Sequence, residues 1–347
     1  MARFGVISST ATSLYTVATD IAYVLNKKGH EATVYTTFPS SYDAKELFDK
    51  SILVMAYDPL YVRPYIILAK DYSRRGINSV MYVTTEGVPN KYMIEPWMRT
   101  GVTYIAVSKY VEAMLRNINV AVSKVIYHGL NYDTINYVST HVNSKKVALK
   151  SKFNAKVVFG TVASNHPRKN LSGLASVLRQ VSEKLPNALF YIVTTPEGVH
   201  HFSGIPNVYA TPTFGKLMRE DILSLIGSFD FLVHSALTEG FGLPLLEAQS
   251  FGVPVIFPDY APLTEVTHDD ANFKVEVSEV GANNFGDGIN YTLHYFDAKS
   301  MAEQIQNAYD IFLNKKSEYE DRSEKVKNFA KQFDAEKVYN EFLEVLK

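Results

Sequence analysis

The sequence predicts an α/β protein built from two doubly wound domains in tandem, and three observations predict it. Short apolar runs rich in Val, Ile, Tyr and Phe alternate with stretches of helical period along the chain. The alternation starts afresh after a polar, lysine-rich stretch near the middle. At 347 residues, 46% hydrophobic and 20% charged, the chain is long enough for two ordinary domains with substantial cores.

The first half opens with an apolar strand over residues 3–8, a polar Ser/Thr turn, and a helix over 17–28 that Gly29 ends. A strand over 32–37 follows, and strand–helix–strand at this length implies a parallel pair with a right-handed crossover. Further strands are expected at 52–57, 80–84, 104–107 and 124–127, with helices over 61–75 and 109–117 between them. Residues 139–156 read as a linker. The second half then gives strands at 157–163, 189–194, 231–234, 253–257 and 273–277, with helices over 170–185 and 221–227. From Met301 the spacing of Ile305, Ala308, Ile311 and Phe312 is helical, and a last helix is expected over 335–346.

Residues 239–255, EGFGLPLLEAQSFGVPV, carry the most chemistry. Gly240 and Gly242 let the backbone reach φ > 0 and approach a ligand closely. Pro244 suits the first turn of a helix, where its missing N–H costs nothing. A helix over about 243–251 then stops at Gly252, and its start offers free N–H groups and a positive dipole end to a phosphate. Glu247 lies one turn in and leans back toward that start. Glu239 stands just before the turn. A carboxylate, an anion cradle and a second carboxylate describe a site for a nucleotide-activated sugar.

This segment resembles the E-x7-E signature of retaining glycosyltransferases of the GT-B fold, family 4, also described as glycosyl transferases group 1. The stretches GHEATVYT, AVSKYVEAMLRN and VIYHGLNYD resemble parts of that family's first domain. The resemblance implies two Rossmann-like domains facing across a cleft: residues 1–145 on the acceptor side, 146–328 on the donor side, and 329–347 as a terminal helix packing back on the first domain. It also implies that Glu239 lies near the transferred sugar, that the Phe241, Gly242 and Leu243 amides hold the donor diphosphate, and that Glu247 binds the nucleotide ribose. Transfer would retain anomeric configuration, with attack from the leaving-group face and the diphosphate helping to deprotonate the acceptor.

The loop SNHPRKN, residues 164–170, follows a strand and precedes a helix, where open α/β sheets bind ligands. Asn165, Arg168 and Lys169 are therefore candidate donor contacts, the two cations serving the charge that develops on a leaving diphosphate. The resemblance supports an Arg-Lys phosphate pair, with one departure: the family often places its Arg six residues before the Lys, and Ala163 stands there. Thr12 and Ser13 lie in a hydroxyl-rich loop after the first strand, either as phosphate or acceptor contacts or as a helix cap. No His stands at the end of the fourth strand, where many relatives have one; Glu86 is the nearest ionisable group, as a polar substitute beside the sugar or as a surface carboxylate. His128 matches a family position that is structural, near the hinge, and Glu265 is expected to be structural at the domain interface. The loop over 211–216 is expected to select the base.

Other classes are excluded or disfavoured. No window approaches twenty apolar residues, and the start reads directly into a strand rather than a signal peptide, so a cytoplasmic protein is expected. Zero Cys removes disulfides and thiolate metal sites, and the 9 His lack ligand spacing, so no metal is expected. Residues 1–150 hold 17 Lys+Arg against 11 Asp+Glu, while the remainder is acidic. A basic first half could meet an anionic acceptor or a membrane surface peripherally, or reflect ordinary scatter. The partners expected are a nucleotide-diphosphate sugar as donor substrate, with no other cofactor, and an acceptor that is a glycan, lipid or protein; no nucleic acid is expected. The rivals are a nucleotide-sugar epimerase on the same fold and a nucleotide-sugar-binding module without turnover.

Overall fold

The computed structural model describes residues 1–347. Arg3–Ser8 (β1) buries five of its six residues, as a strand covered on both faces must. The chain continues through α1 (Thr12–Lys27), β2 (Glu31–Tyr35), α2 (Ser41–Leu47), β3 (Lys50–Ala56), α3 (Val62–Arg74) and β4 (Asn78–Thr84). A two-residue β5 (Val88–Pro89) precedes β6 (Thr103–Ala106), α4 (Lys109–Arg116) and β7 (Val122–Val125). Parallel pairing orders the sheet β2-β1-β3-β4-β6-β7. The order reverses between β1 and β3, so a crevice opens at their carboxyl ends. α1 covers the sheet with Val17, Ala18, Ile21, Ala22, Val24 and Leu25, one apolar stripe of helical spacing.

The stretch expected to be a linker is instead part of a 22-residue helix, α5 (Tyr132–Phe153). Its cap is Asn131, whose side chain accepts from the Thr134 amide. Only Ile135 and Val138 of α5 are buried, so it has almost no apolar stripe to read in the sequence. Ion pairs help to fix it, Lys146 and Lys150 reaching the buried Asp230 at 3.2 and 2.8 Å, while Leu149 and Phe153 pack on the second domain's apolar cluster.

A second parallel sheet follows, from β8 (Val157–Val162), α6 (Leu171–Val181), β9 (Ala188–Val193), β10 (Val208–Thr211), α7 (Arg219–Gly227), β11 (Phe231–Val233), α8 (Leu243–Ser250), β12 (Val255–Pro258) and β13 (Phe273–Val275). Its order, β10-β9-β8-β11-β12-β13, reverses between β8 and β11. The loops after β8 and β11 are 163–170 and 234–242, so the sheet topology delivers both candidate segments to one crevice. The two doubly wound domains expected from the sequence are thus present, facing across a cleft.

The strand expected over 273–277 ends at Val275, and the chain turns into a hairpin of β14 (Val277–Asn283) and β15 (Ile289–Phe296). β15 also pairs antiparallel with β5 of the first domain, Ile289 against Pro89 and Asn290 against Val88. Ile289, Tyr291 and Leu293 alternate inward along β15 and pack on Leu237.

The tail forms α9 (Ala298–Asn314), α10 (Lys316–Ala330), α11 (Ala335–Val338) and α12 (Glu341–Val345). Two short helices thus stand where one was expected over 335–346. Phe333, Ala335, Val338, Tyr339, Phe342 and Leu346 are buried in the same apolar cluster as β1 and β4. No helix is long and apolar enough to cross a membrane.

Polar contacts made by three side chains, Glu265, Ser108 and Thr238, tie the domains beside the cleft. Glu265 caps α4, accepting from the Lys109 and Tyr110 amides, each at 2.9 Å, and from the Tyr127 hydroxyl at 3.0 Å. Ser108 donates to the Gly240 carbonyl at 3.0 Å, and Thr238 donates to the Glu86 carbonyl at 2.6 Å.

Candidate active site

Between the domains lies a cavity of about 420 Å³. Its wall includes the start of α8, where Gly242 takes φ 98° and no side chain caps the helix. Left-handed backbone at the cap turns the chain sharply, so the 240–243 segment lines the cavity with main chain. Gly240 has a second constraint. A Cβ there would lie 2.3 Å from Thr84 Oγ1 and 2.8 Å from the Thr85 carbonyl oxygen, so the loop seats on the first domain only as glycine.

Glu239 sits buried before this turn and collects three partners. Lys169 Nζ pairs with Oε1, His234 Nε2 lies 3.2 Å from the same oxygen, and Arg168 Nη1 lies 3.5 Å from Oε2. Burial alone would raise the Glu239 carboxyl. Lys169, His234 and Arg168 beside it outweigh burial and hold the group well below the usual carboxylate range. Burial lowers Lys169 and His234 in turn. Arg168 also crosses the cleft, its Nη2 forming an ion pair with Glu86 Oε1 at 2.6 Å. Burial raises the Glu86 carboxyl despite that partner. The Lys169 and Arg168 loop is pinned below by Asn170, whose side chain caps α6, and by the Ser235 hydroxyl on the Lys169 carbonyl at 2.8 Å.

Glu247 faces the cavity from the next turn of α8 and pairs with Arg219, Nη1 to Oε1 at 2.6 Å. Arg219 opens α7 and is acted on from the first domain by Asp20. Burial pushes the Asp20 carboxyl up to about 6, against Arg219 and the Asn131 amide.

The cavity thus brings together Glu239, Lys169, Arg168, Glu247, Phe241, Gly242, Leu243, Glu86, Thr12 and Ser13 from the sequence reading. Thr12 and Ser13 do not cap α1; its N-cap is Ala11, with no side-chain bond. Asn165 is not in the cavity wall: its side-chain oxygen sits 2.9 Å from His201 Nε2. Thr213, Phe214 and Gly215, from the loop expected to select the base, form another stretch of wall. His128 reaches the cavity too, but burial pushes it down to about 3 and its Nδ1 lies 2.9 Å from the Tyr82 hydroxyl. Arg219 and His234 escaped the sequence reading. A signal for Arg219 was present, since a cation in the first turn of a helix opposes the helix dipole and needs a partner elsewhere.

Chemically, the wall offers an uncapped helix start, three cations each matched to a carboxylate, and hydroxyls from both domains. No group of three or more His, Asp or Glu is arranged to hold a metal ion.

Comparison with known proteins bears on this geometry. Residues 144–311 match the family described as Glycosyl transferases group 1, a span that holds every second-domain residue named in the cavity wall. The uncharacterized glycosyltransferase 335 of Sulfolobus islandicus rod-shaped virus 1 is 26% identical over 350 residues, covering 99% of this chain and 100% of its own. Among solved structures, Anabaena HepE in complex with UDP and glucose matches with TM-score 0.67 at 14% identity, over 100% of this chain and 99% of its own. A glycosyltransferase from Rickettsia africae matches with TM-score 0.70 at 14% identity, over 100% and 98%. At such identities the structural likeness concerns the fold, which is GT-B.

Proposed function

We propose that this chain is a retaining glycosyltransferase that moves a hexosyl group from a nucleoside-diphosphate sugar to an acceptor hydroxyl without a metal ion. One observation carries the reading: two buried carboxylates, Glu239 and Glu247, each held by a cation, flank the uncapped start of α8 inside one interdomain cavity. The diphosphate lies at that helix start and against Arg168 and Lys169, which stabilise its charge as the sugar leaves. Glu247 takes the ribose, and Thr213–Gly215 border the base. Glu239 faces the sugar as an ionised carboxylate, a state favoured by its three partners. Asn165 stands behind this wall, where it steadies the 164–170 loop through His201.

The acceptor approaches over the first domain, past Thr12, Ser13 and Glu86. Its oxygen bonds to the anomeric carbon on the face the diphosphate leaves, the carbon–phosphate-oxygen bond breaks, and the acceptor proton passes to a leaving phosphate oxygen. Configuration is retained because bond making and breaking share one face. The family match over the donor half and the UDP carried by the Anabaena structure support this reading.

The test is calorimetry with UDP, GDP, ADP and their glucose and mannose conjugates. One nucleotide class binds the intact chain, and Glu247→Ala and Lys169→Ala each weaken it by about tenfold or more, the scale of a lost charged hydrogen bond. Unchanged binding in both variants would sink the site assignment.

A further inference from the structure

Arg219 occupies the place on a helix where a cation is least welcome, because the free N–H groups there already carry positive charge. Glu220 and Asp221 supply the acids that such a turn favours. Arg219 turns inward: its side chain is 31% exposed, lines the cavity, and binds Glu247 Oε1 at 2.6 Å. Glu247 is 4% exposed, and that ion pair is the only contact of either carboxylate oxygen with a hydrogen-bond donor. The acceptor capacity that Arg219 leaves on this carboxylate therefore opens on the cavity wall, within reach of a ligand's hydroxyls.

A carboxylate has about four acceptor positions, and Arg219 takes one of them. Enough remain for two adjacent hydroxyls. Without the guanidinium, nothing in the protein fixes the rotation of this carboxylate. With it, the plane is set before a ligand arrives, and ordering cost falls. From the first domain the charge of Asp20, which accepts from Asn131 at 3.3 Å, favours the Arg219 cation.

We propose that Arg219 is a positioning residue for nucleoside recognition: it presets Glu247 to receive both ribose hydroxyls of a nucleoside diphosphate, and so sets the preference for ribose over 2′-deoxyribose. The inference rests on the glycosyl-transfer reading above and adds to it a residue and a selectivity. The opposite reading has Arg219 occupying Glu247 at the ribose's expense. The two predict opposite signs.

The experiment is calorimetry on the intact chain with whichever of UDP, GDP and ADP binds tightest, and with its 2′-deoxy counterpart. Both are titrated into the unmodified chain, Arg219→Ala, Arg219→Gln, Arg219→Lys and Glu247→Ala. The unmodified chain prefers the ribose form by about tenfold, the scale of one charge-assisted hydrogen bond. Arg219→Ala and Arg219→Gln lose that preference, weakening the ribose form by about tenfold and leaving the deoxy form within about twofold. Arg219→Lys recovers part of it, since a point charge replaces a planar fork. Equal weakening of both nucleotides would assign Arg219 to folding alone and overturn the proposal; so would tighter ribose binding in Arg219→Ala, which marks a competitor. Weakening by Glu247→Ala without any change in the Arg219 variants removes this assignment and leaves the enzyme reading standing. No effect in any variant, or no nucleotide binding at all, removes both.

Discussion

At the scale of single residues, burial decides which groups in the cleft carry charge. Glu239 ionises more readily than an ordinary carboxylate because its cations outweigh its burial, whereas Glu86, with one cation shared across the domains, does not. His128 is the simplest case: burial alone pushes it down to about 3, and the Tyr82 hydroxyl contacts both its Nδ1 and the Ile126 carbonyl. Between about pH 6.5 and 3 an unfolded chain binds a proton on this His that the folded chain refuses, so its contribution to stability is full above pH 6.5 and is lost on acidification. His166, His234 and His294 are lowered by burial and act in the same direction, while Asp20, raised to about 6, acts in the opposite one. His128→Gln should therefore flatten the acid side of the stability curve by up to ~1.4 kcal/mol per pH unit. Melting temperatures at pH 4.5, 5.5 and 7.5 check this; parallel curves for variant and parent would mean that His128 charges in the folded state. The residues legible in the sequence, Glu239, Glu247, Arg168 and Lys169, share short local motifs. Arg219 and His234 have their roles only through partners brought near by the fold.

At the scale of elements, the strongly periodic segments were readable and the irregular ones were not. α1 and β1 appear where their apolar spacing places them, and α8 begins where Gly242 and Pro244 put it. α5 reads as a linker because its contacts with the second domain are few and scattered, the half-buried Leu149 and Phe153 beside the ion pairs of Lys146 and Lys150, with no continuous apolar stripe. The β14–β15 hairpin was missed because Asn283, Asn284, Gly286 and Gly288 read as loop, although the inward Ile289, Tyr291 and Leu293 of β15 keep a period of two. That hairpin matters for the cleft, since β15 pairs with β5 and Asn90 donates to the Gly288 carbonyl at 2.8 Å. Ile289 anchors the seam in a cluster of four buried residues. Ile289→Ala should cost about 2–4 kcal/mol locally and free the hairpin from the first domain. Limited proteolysis reads this directly: cleavage within residues 277–296 should speed up by about tenfold, consistent with a lost apolar anchor. An unchanged rate would show that strand pairing alone holds the seam.

At the scale of the molecule, the last residues of the chain finish the first domain. Phe342 is fully buried beside Tyr82, with ring centroids 5.1 Å apart, although one lies near the end of the chain and the other in β4. Phe342→Ala should cost about 3–5 kcal/mol, a large share of the 5–15 kcal/mol that folded chains typically hold. The loss should fall on the first domain, so hydrogen exchange should accelerate in β1 and β4 more than in β8 and β9; a uniform or second-domain effect would contradict the shared core. Sequence alone determined the alternation of strands and helices, the two-fold repetition of that pattern, and the carboxylate–glycine–proline segment at the start of α8. Those features are local, fixed by side-chain period and by backbone conformations that Gly and Pro permit or forbid. The tertiary structure decided what lies across from what: Glu86 against Arg168, Glu265 on α4, β15 on β5, and Arg219 on Glu247. Each of these joins residues separated by a domain or by several elements, and only the packing of two twisted sheets around one cleft sets their distances.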